Sequence, residues 1–346
     1  MAAIVFTAIN ARSLANWAPI LEELGRRGHR ISSLLFPHRA DPDSAGLRAA
    51  ASWCPTAGEF PLDVSLWGAA PDAWEDVVDR AARSLTAIAP DAVVMTTCHA
   101  GPERALPAAW TGRDGRPVFI GCQHGFVQNW DGYWRDFRGD HLLVFGRMFQ
   151  ELAPDRIAGR VHVAGLSKLD AIAEEPRPAF AADRRPILFA AQRTCTDELI
   201  ALLRAVGAAA GREVHIRPHP EHRDALRSTG LPLLDHGEPL AAQIGRCSLV
   251  VTSGSTVGLE AIAVGAPVVV LPLERGQAYA EAGIVAAGMT VADVLAVAEA
   301  QSSVGSRGRL RAFLERATGS DRGGRVALGA DCVERLIRVA SGARLP

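Results

Sequence analysis

One pattern, run twice, constrains the fold of this chain more than any other. Short apolar, β-branched stretches are each followed by residues with helical apolar spacing, first Ala2–Ile9 and Ser13–Arg27, then again from Arg30–Phe36 onward. Ala82–Ile88 and Glu103–Trp110 read as helices beside the strands Ala92–Thr96 and Pro117–Cys122, and His141–Phe145 and Val161–Val163 add two short strands. Such alternation covers both faces of a sheet with helices when the strands run parallel. At Glu174-Glu175-Pro176-Arg177-Pro178, extending to Arg185-Pro186, the composition turns to proline and charge, as a linker does. Beyond it the alternation restarts. Strands are expected at Ile187–Ala191, Glu213–Arg217, Leu249–Thr252 and Pro267–Leu271, and helices at Glu198–Ala210, Pro239–Ile244 and Thr256–Val264, with Gly265 as a helix C-cap. The predicted class is α/β: two Rossmann-like, doubly wound parallel-sheet domains facing a cleft. The first spans 1–174, a linker spans 175–186, and the second spans 187–325. Ser302–Gly324 reads as helix mixed with loop, and 326–346 as a terminal helix able to pack back on the first domain. A chain of 346 residues suits two such lobes.

Composition narrows the function. The formal net charge is -1, which gives no reason to expect nucleic acid as a partner. Lys168 is the only lysine, and no Gly-Lys-Ser/Thr run exists, so a P-loop is excluded. The 6 cysteines are scattered without a C-x-x-C pair, as expected of reduced thiols in a cytoplasmic protein. The N-terminal MAAIVFTAIN lacks the basic start of a signal peptide, and no apolar run approaches the ~20 residues of a membrane span.

In open parallel sheets ligands bind beyond the carboxyl ends of the strands. Unusual residues fall there repeatedly: Asn10 and Arg12, Thr97-Cys98-His99, Gln123-His124-Gly125, Gln192-Arg193-Thr194, Arg217-Pro218-His219-Pro220, and Ser253-Gly254-Ser255-Thr256. In VVTSGSTVGLEA an apolar strand enters a Ser/Gly/Thr turn that opens a helix. Backbone N–H groups, the hydroxyls of Ser253, Ser255 and Thr256, and the positive helix end then converge into a phosphate-sized anion site. The plainer alternative is N-capping by Ser255. Glu260, one turn on, can accept hydrogen bonds from a ribose diol or can be a solvated helix glutamate. In VHIRPHPEHR, Pro218 and Pro220 forbid the helix that would put His215 and His219 on one face for a metal. His219 is left at the strand end, able to donate to a phosphate oxygen with Arg217 or Arg223 adding charge; otherwise the segment is a rigid corner, with His215 and His222 in support. His124 is a candidate general base, with Asp131, Asp136 and Asp140 as rival carboxylates. Trp130, Tyr133 and Trp134 can line an acceptor surface or anchor a loop. Asp41-Pro42-Asp43 is a D-x-D pair better explained as turn chemistry than as a metal site.

Taken together, Gln123-His124-Gly125, Val163-Ala164-Gly165-Leu166-Ser167-Lys168-Leu169-Asp170, Ile187–Ala191, Arg217-Pro218-His219-Pro220 and Ser248–Pro267 resemble the GT-B glycosyltransferases. Within these the chain looks most like the bacterial cell-surface polymer group: CDP-glycerol glycerophosphotransferases, capsule-polysaccharide transferases and His-Pro-motif sialyltransferases. The resemblance implies roles in catalysis or donor-phosphate binding for His124 and His219, and a donor-phosphate turn at Ser253, Ser255 and Thr256. The glycerophosphotransferases usually carry Trp-His-Gly and Asp-Tyr-Ser-Ser, where this chain has Gln-His-Gly and Thr-Ser-Gly-Ser, which turns the expectation toward a nucleotide sugar.

The expected enzyme is a metal-independent glycosyltransferase without a cofactor. Its catalytic candidates are His124, His219 and Asp131. Arg193, Thr194, Arg217, His219, Ser253, Gly254, Ser255, Thr256 and Glu260 form the donor side, and Asn10, Arg12, His99, Gln123 and Trp130 the acceptor side. The partners are a nucleotide-activated sugar and a hydroxyl acceptor on a surface glycan, glycolipid or small natural product. A lipid-linked acceptor would add peripheral membrane association. The alternatives are a non-hydrolysing nucleotide-sugar 2-epimerase or hydrolase of the same fold, a glycerol-phosphate transferase, a metal-dependent hydrolase on His215, His219 and His222, and a non-catalytic nucleotide-binding scaffold. The epimerase reading lacks its His-x-Glu-Ala-Gly segment and Ser-Gly-Gly turn here.

Overall fold

The computed structural model describes residues 1–38, 44–63, 74–99, 101–110, 115–126, 137–174, 177–191, 195–219, 223–235, 237–273, 277–320 and 323–342. The chain divides into two compact units, Met1–Asp170 with Thr318–Pro346, and Ala171–Ala317.

The first unit holds seven strands: β1 (Ala3–Ala8), β2 (Arg30–Leu35), β3 (Thr56–Glu59), β4 (Ala92–Met95), β5 (Val118–Cys122), β6 (His141–Val144) and β7 (Val161–Val163). All pair in parallel, in the order β3-β2-β1-β4-β5-β6-β7. The central strands β1, β4 and β5 are buried at every position, which is why they read as unbroken apolar runs rather than alternating ones. Helix Ala11–Arg26 begins at Asn10, whose side chain accepts from Ser13 N, and turns Leu14, Trp17, Ile20, Leu21 and Leu24 inward. The terminal helix Arg325–Ala340 packs on this helix and against β5 and β7. Its first turn is held by Asp170, which accepts from Val326 N at 2.9 Å and from the Arg325 guanidinium at 2.9 Å.

The second unit holds β8 (Ile187–Ala190), β9 (Val214–Arg217), β10 (Leu249–Thr252) and β11 (Val268–Val270), all parallel, in the order β11-β10-β8-β9. Single parallel bridges extend it on both sides, Leu233 beside Ile216 and Val285 beside Val270. Both sheets therefore reverse their direction of winding beside the first strand of the unit, between β1 and β4 and between β8 and β10. These are the switch points at which open α/β sheets bind ligands. The core of the second unit gathers Phe189, Leu203, Ile216, Val251, Val269 and Leu271. Helix Val257–Val264 ends at Gly265, whose φ of 80° closes the helix in the left-handed region.

Within Ser302–Gly324, expected as helix mixed with loop, Val304–Thr318 is one continuous helix that accommodates Gly305 and Gly308, and the described residues on either side of it are not helical. The edge strand Thr56–Glu59 carries no apolar signal, because none of its residues is buried.

Candidate functional site

In the second unit the ligand end of the sheet is set by the turn after β10. Thr252 and Ser253 are buried, and Gly254 takes φ +101°, a conformation that admits glycine with little strain. Helix Val257–Val264 opens at Thr256, which makes no side-chain capping bond. Ser255 does part of that work, its Oγ accepting from Val257 N at 3.1 Å, so the capping alternative is met in part. The main-chain N–H groups of Gly254, Ser255 and Thr256 make no hydrogen bond among the described residues. Three donors at a helix N-terminus form the kind of cradle that accepts a phosphate oxygen.

Glu260 is 7% exposed, one turn into this helix, and is not a solvated side chain. The Arg217 guanidinium at the end of β9 lies in its field. Burial lowers the Arg217 pKa, against the charges of Glu260, Glu238 and Asp235, which raise it. Arg217 donates to the Glu238 carbonyl at 3.3 Å and to Gln243 Oε1, and Gln243 Nε2 in turn donates to the Asp235 carbonyl at 2.6 Å. One guanidinium nitrogen of Arg217 is thereby held by the fold, and its charge lies in the field of Glu260. His219 follows the buried Pro218 and is half-buried beyond the end of β9. His215 points to Glu213, 3.2 Å away, rather than into a shared metal site. Among the described residues no three His, Cys, Asp or Glu side chains gather in metal-binding geometry.

In the first unit the residues past β4 and β5 come together. His99 and His124 stack with ring centroids 4.0 Å apart and 26° between planes. Burial, with the positive charges of His124 and Arg104, holds His99 well below the usual imidazole range, so it is neutral at neutral pH. The turn bearing His124 is fixed from behind, where Asn16 Nδ2 donates to the His124 carbonyl and Trp17 Nε1 to the Gln123 carbonyl, each at 2.9 Å. Gln123 is fully buried. Its Nε2 donates to the Gly125 carbonyl and its Oε1 accepts from Phe145 N. That corrects its acceptor-side assignment, because both ends of the amide are used inside the fold. Asn10 uses its side-chain oxygen to cap the helix Ala11–Arg26. Asp140 is no rival base to His124. It lies at the amino end of β5 and β6, where it accepts from Phe119 N and Arg116, each at 2.8 Å. Arg12 is exposed on the first turn of the helix Ala11–Arg26. Asp131, Asp136, Trp130, Tyr133, Trp134, Arg193, Thr194, His222 and Asp41-Pro42-Asp43 lie outside the described residues.

Solved structures resemble the whole chain. A UDP-N-acetylglucosamine 2-epimerase of Methanocaldococcus jannaschii, in complex with UDP-GlcNAc and UDP, matches with a TM-score of 0.63 at 12% identity, covering 96% of this chain and 98% of that one. The kitacinnamycin glycotransferase matches with a TM-score of 0.62 at 18% identity, over 96% and 98%. A UDP-GlcNAc 2-epimerase of Neisseria meningitidis, bound to UDP-GlcNAc, matches with a TM-score of 0.61 at 15% identity, over 97% and 99%. The fold is GT-B. No protein-family model matches the chain, and no curated protein matches it by sequence.

Two residues at the ligand ends of these GT-B units carry no sequence signal. Tyr279 is fully buried and donates from its hydroxyl to the Ser255 carbonyl at 2.6 Å. Its ring covers Gly258, where a Cβ would stand 2.8 Å from Tyr279 Cζ. Glu103 is also fully buried, accepting from Thr7 Oγ1 at 2.7 Å and Thr97 N at 2.5 Å, and burial pushes its pKa up to about 8. A first-turn glutamate and a lone tyrosine are ordinary in sequence. Only the tertiary structure brings them to strand ends.

Proposed function

We propose that this chain acts on a nucleotide-activated sugar and transfers the sugar to a hydroxyl acceptor without a metal ion. The observation that carries the reading is the segment after β10. Three N–H groups at the start of a helix stand one turn from a nearly buried glutamate balanced by Arg217. A diphosphate supplies the anion that such N–H groups recognise, and a ribose supplies the paired hydroxyls that a carboxylate accepts from. The donor nucleotide is assigned to Gly254, Ser255, Thr256 and Glu260, with His219 donating to the leaving phosphate. The acceptor hydroxyl is assigned to the first unit, where His124 removes its proton. Rate enhancement then comes from orientation and from neutralising charge on the departing diphosphate.

A 2-epimerase of the same fold is the second reading, favoured by solved epimerases that the whole chain resembles. It needs the donor alone, whereas transfer needs an acceptor.

A thermal-shift panel of UDP, GDP, TDP, CDP, CMP and ADP tests the donor assignment. Saturation at about 100 times Kd stabilises the nucleotide-binding state by roughly 2.7 kcal/mol. The best nucleotide then fixes the donor for turnover assays with and without a hydroxyl acceptor. His219→Ala is expected to weaken nucleotide binding and abolish turnover. No shift with any nucleotide overturns the donor site, and epimer formed from donor alone replaces the transferase by the epimerase.

A further inference from the structure

The first unit contains a buried acid for which the proposed reaction has no direct use. Glu103 has no exposed surface and cannot touch an acceptor. Its two oxygens instead join the ends of neighbouring central strands. Oε1 meets Thr7 Oγ1 on β1 at 2.7 Å, and Oε2 takes Thr97 N at 2.5 Å, two residues past the end of β4. Two residues beyond Thr97 stands His99, and its ring lies flat on His124 at 4.0 Å. Cys98, between them, is fixed as well, its Sγ donating to the Cys122 carbonyl at 3.5 Å, one residue before Gln123-His124.

We infer that Glu103 is a positioning residue for the His99–His124 pair: by holding Thr97 N against β1 it sets the turn that lays the His99 ring on His124. The inference rests on the reading of His124 as the acceptor base only for its catalytic consequence, since the geometric claim stands without it. An imidazole that must meet an acceptor proton needs a fixed ring plane, and the stack supplies one through a neighbour that is itself neutral.

The carboxyl is suited to this role because it is uncharged near neutrality. Burial dominates its pKa, over the hydrogen bonds from Thr7, Thr97 and Thr96 that favour the anion. The groups around it are the Cys98 and Cys122 thiols, both pushed up by burial, with His99 and Arg104 next along the chain. The helix Glu75–Ile88, packed on this side, turns Val78, Ala81, Ala82 and Leu85 inward and brings no charge. Ionisation of Glu103 is therefore expected to be felt by the histidine pair.

The test is histidine NMR on the full-length chain with labelled imidazoles, assigned through His99→Gln and His124→Gln. In the wild type, the His99 and His124 signals are expected to show a second step near pH 8. In Glu103→Gln, whose amide keeps both hydrogen bonds but cannot ionise, the stacked shifts persist and the step disappears. In Glu103→Leu the ring-current shifts of the stack are lost. If Glu103→Leu does not fold, Thr7→Val serves instead and is expected to move the step to higher pH. Wild-type shifts and an unmoved step in the variant that folds would overturn the inference. In turnover assays, Glu103→Leu is expected to lose roughly 10- to 100-fold in kcat with the donor KM unchanged, and Glu103→Gln to restore it. NMR changes in a chain that turns over nothing would leave Glu103 in its place and remove His124 as the base. Wild-type kcat in a Glu103→Leu variant with an altered stack would likewise sever the stack from catalysis.

Discussion

Replacing Tyr279 by phenylalanine removes one oxygen and leaves the ring where it is. The hydroxyl holds the Ser255 carbonyl at 2.6 Å, and the ring is packed between Gly258 and Phe313, the latter with centroids 5.4 Å apart. The substitution therefore deletes the hydroxyl at the centre of the Ser253–Thr256 turn, and the loss of its hydrogen bond to the Ser255 carbonyl carries a net cost of about 0.5–1.5 kcal/mol. Some of that loss falls on the stability of the second unit. The rest falls on the order of the turn that a diphosphate must find in place, so nucleotide affinity is expected to weaken by roughly 2- to 13-fold at most. Titration calorimetry with the nucleotide that gives the largest thermal shift measures it. Gly258→Ala attacks the same contact from the other side. Its Cβ would press 2.8 Å from a ring tethered at its hydroxyl, so it is expected to cost about 1–3 kcal/mol. In the double variant the untethered ring can move aside, and the costs should fall short of their sum. Wild-type affinity and stability in Tyr279→Phe, or strict additivity in the double variant, would refute the view that this tyrosine sets the turn.

Two further outcomes concern buried charges. Asp170→Ala leaves the Arg325 guanidinium, 2% exposed as a residue, without its carboxylate and strips Val326 N of its acceptor; chemical denaturation should show a loss of about 3–5 kcal/mol in the first unit. Glu103 has a folded pKa of about 8 against an ordinary value of 4.5, so its neutral form is favoured by folding. That contribution is complete below the unfolded value and is lost as pH rises through about 8, with an upper limit of roughly 5 kcal/mol. Urea midpoints of wild type and Glu103→Gln should diverge between pH 5.5 and 8.5, the wild type falling; parallel curves would mean that the carboxyl does not carry this titration.

Much of the architecture was legible because central parallel strands have no solvent face. Ala3–Ala8, Val118–Cys122 and Leu249–Thr252 are buried throughout, and an unbroken apolar run can hardly be read otherwise. Thr56–Glu59 was illegible for the opposite reason, since an edge strand with no buried residue carries no pattern. Polar residues at strand ends are ambiguous in a deeper way. Gln123 and Ser253 look alike in sequence, as polar groups just past an apolar run. One has both amide ends bonded to the main chain, while the other enters a turn whose N–H groups face no internal acceptor among the described residues. The partner, rather than the residue type, separates a brace from a ligand contact, and partners are set by strands far apart in sequence.

The two switch points make that distinction at the scale of a whole unit. Beyond β4, Thr96 N is taken by the Thr7 carbonyl and Thr97 N by Glu103, so the acid occupies the place an external anion would need. Beyond β10, the corresponding turn carries Gly254, Ser255 and Thr256 with N–H groups that no described residue accepts from, and Glu260, one turn into the helix that follows, acts on the charge of Arg217. A reversal of winding beside the first strand thus yields one strand end closed to phosphate and one prepared for it. That asymmetry supports placing the nucleotide on the second unit and leaving the first to the acceptor. It also predicts a contrast between two like substitutions. Glu103→Gln, which keeps Thr97 N occupied, should leave nucleotide affinity at its wild-type value, whereas Glu260→Gln, which removes the diol-accepting charge beside the open turn, should weaken it by roughly 10-fold or more, as loss of a charged hydrogen bond of about 1.5–3 kcal/mol requires. Equal effects of the two substitutions in calorimetric titration would mean that the nucleotide does not distinguish the two strand ends, and the assignment of donor and acceptor sides would fall with it.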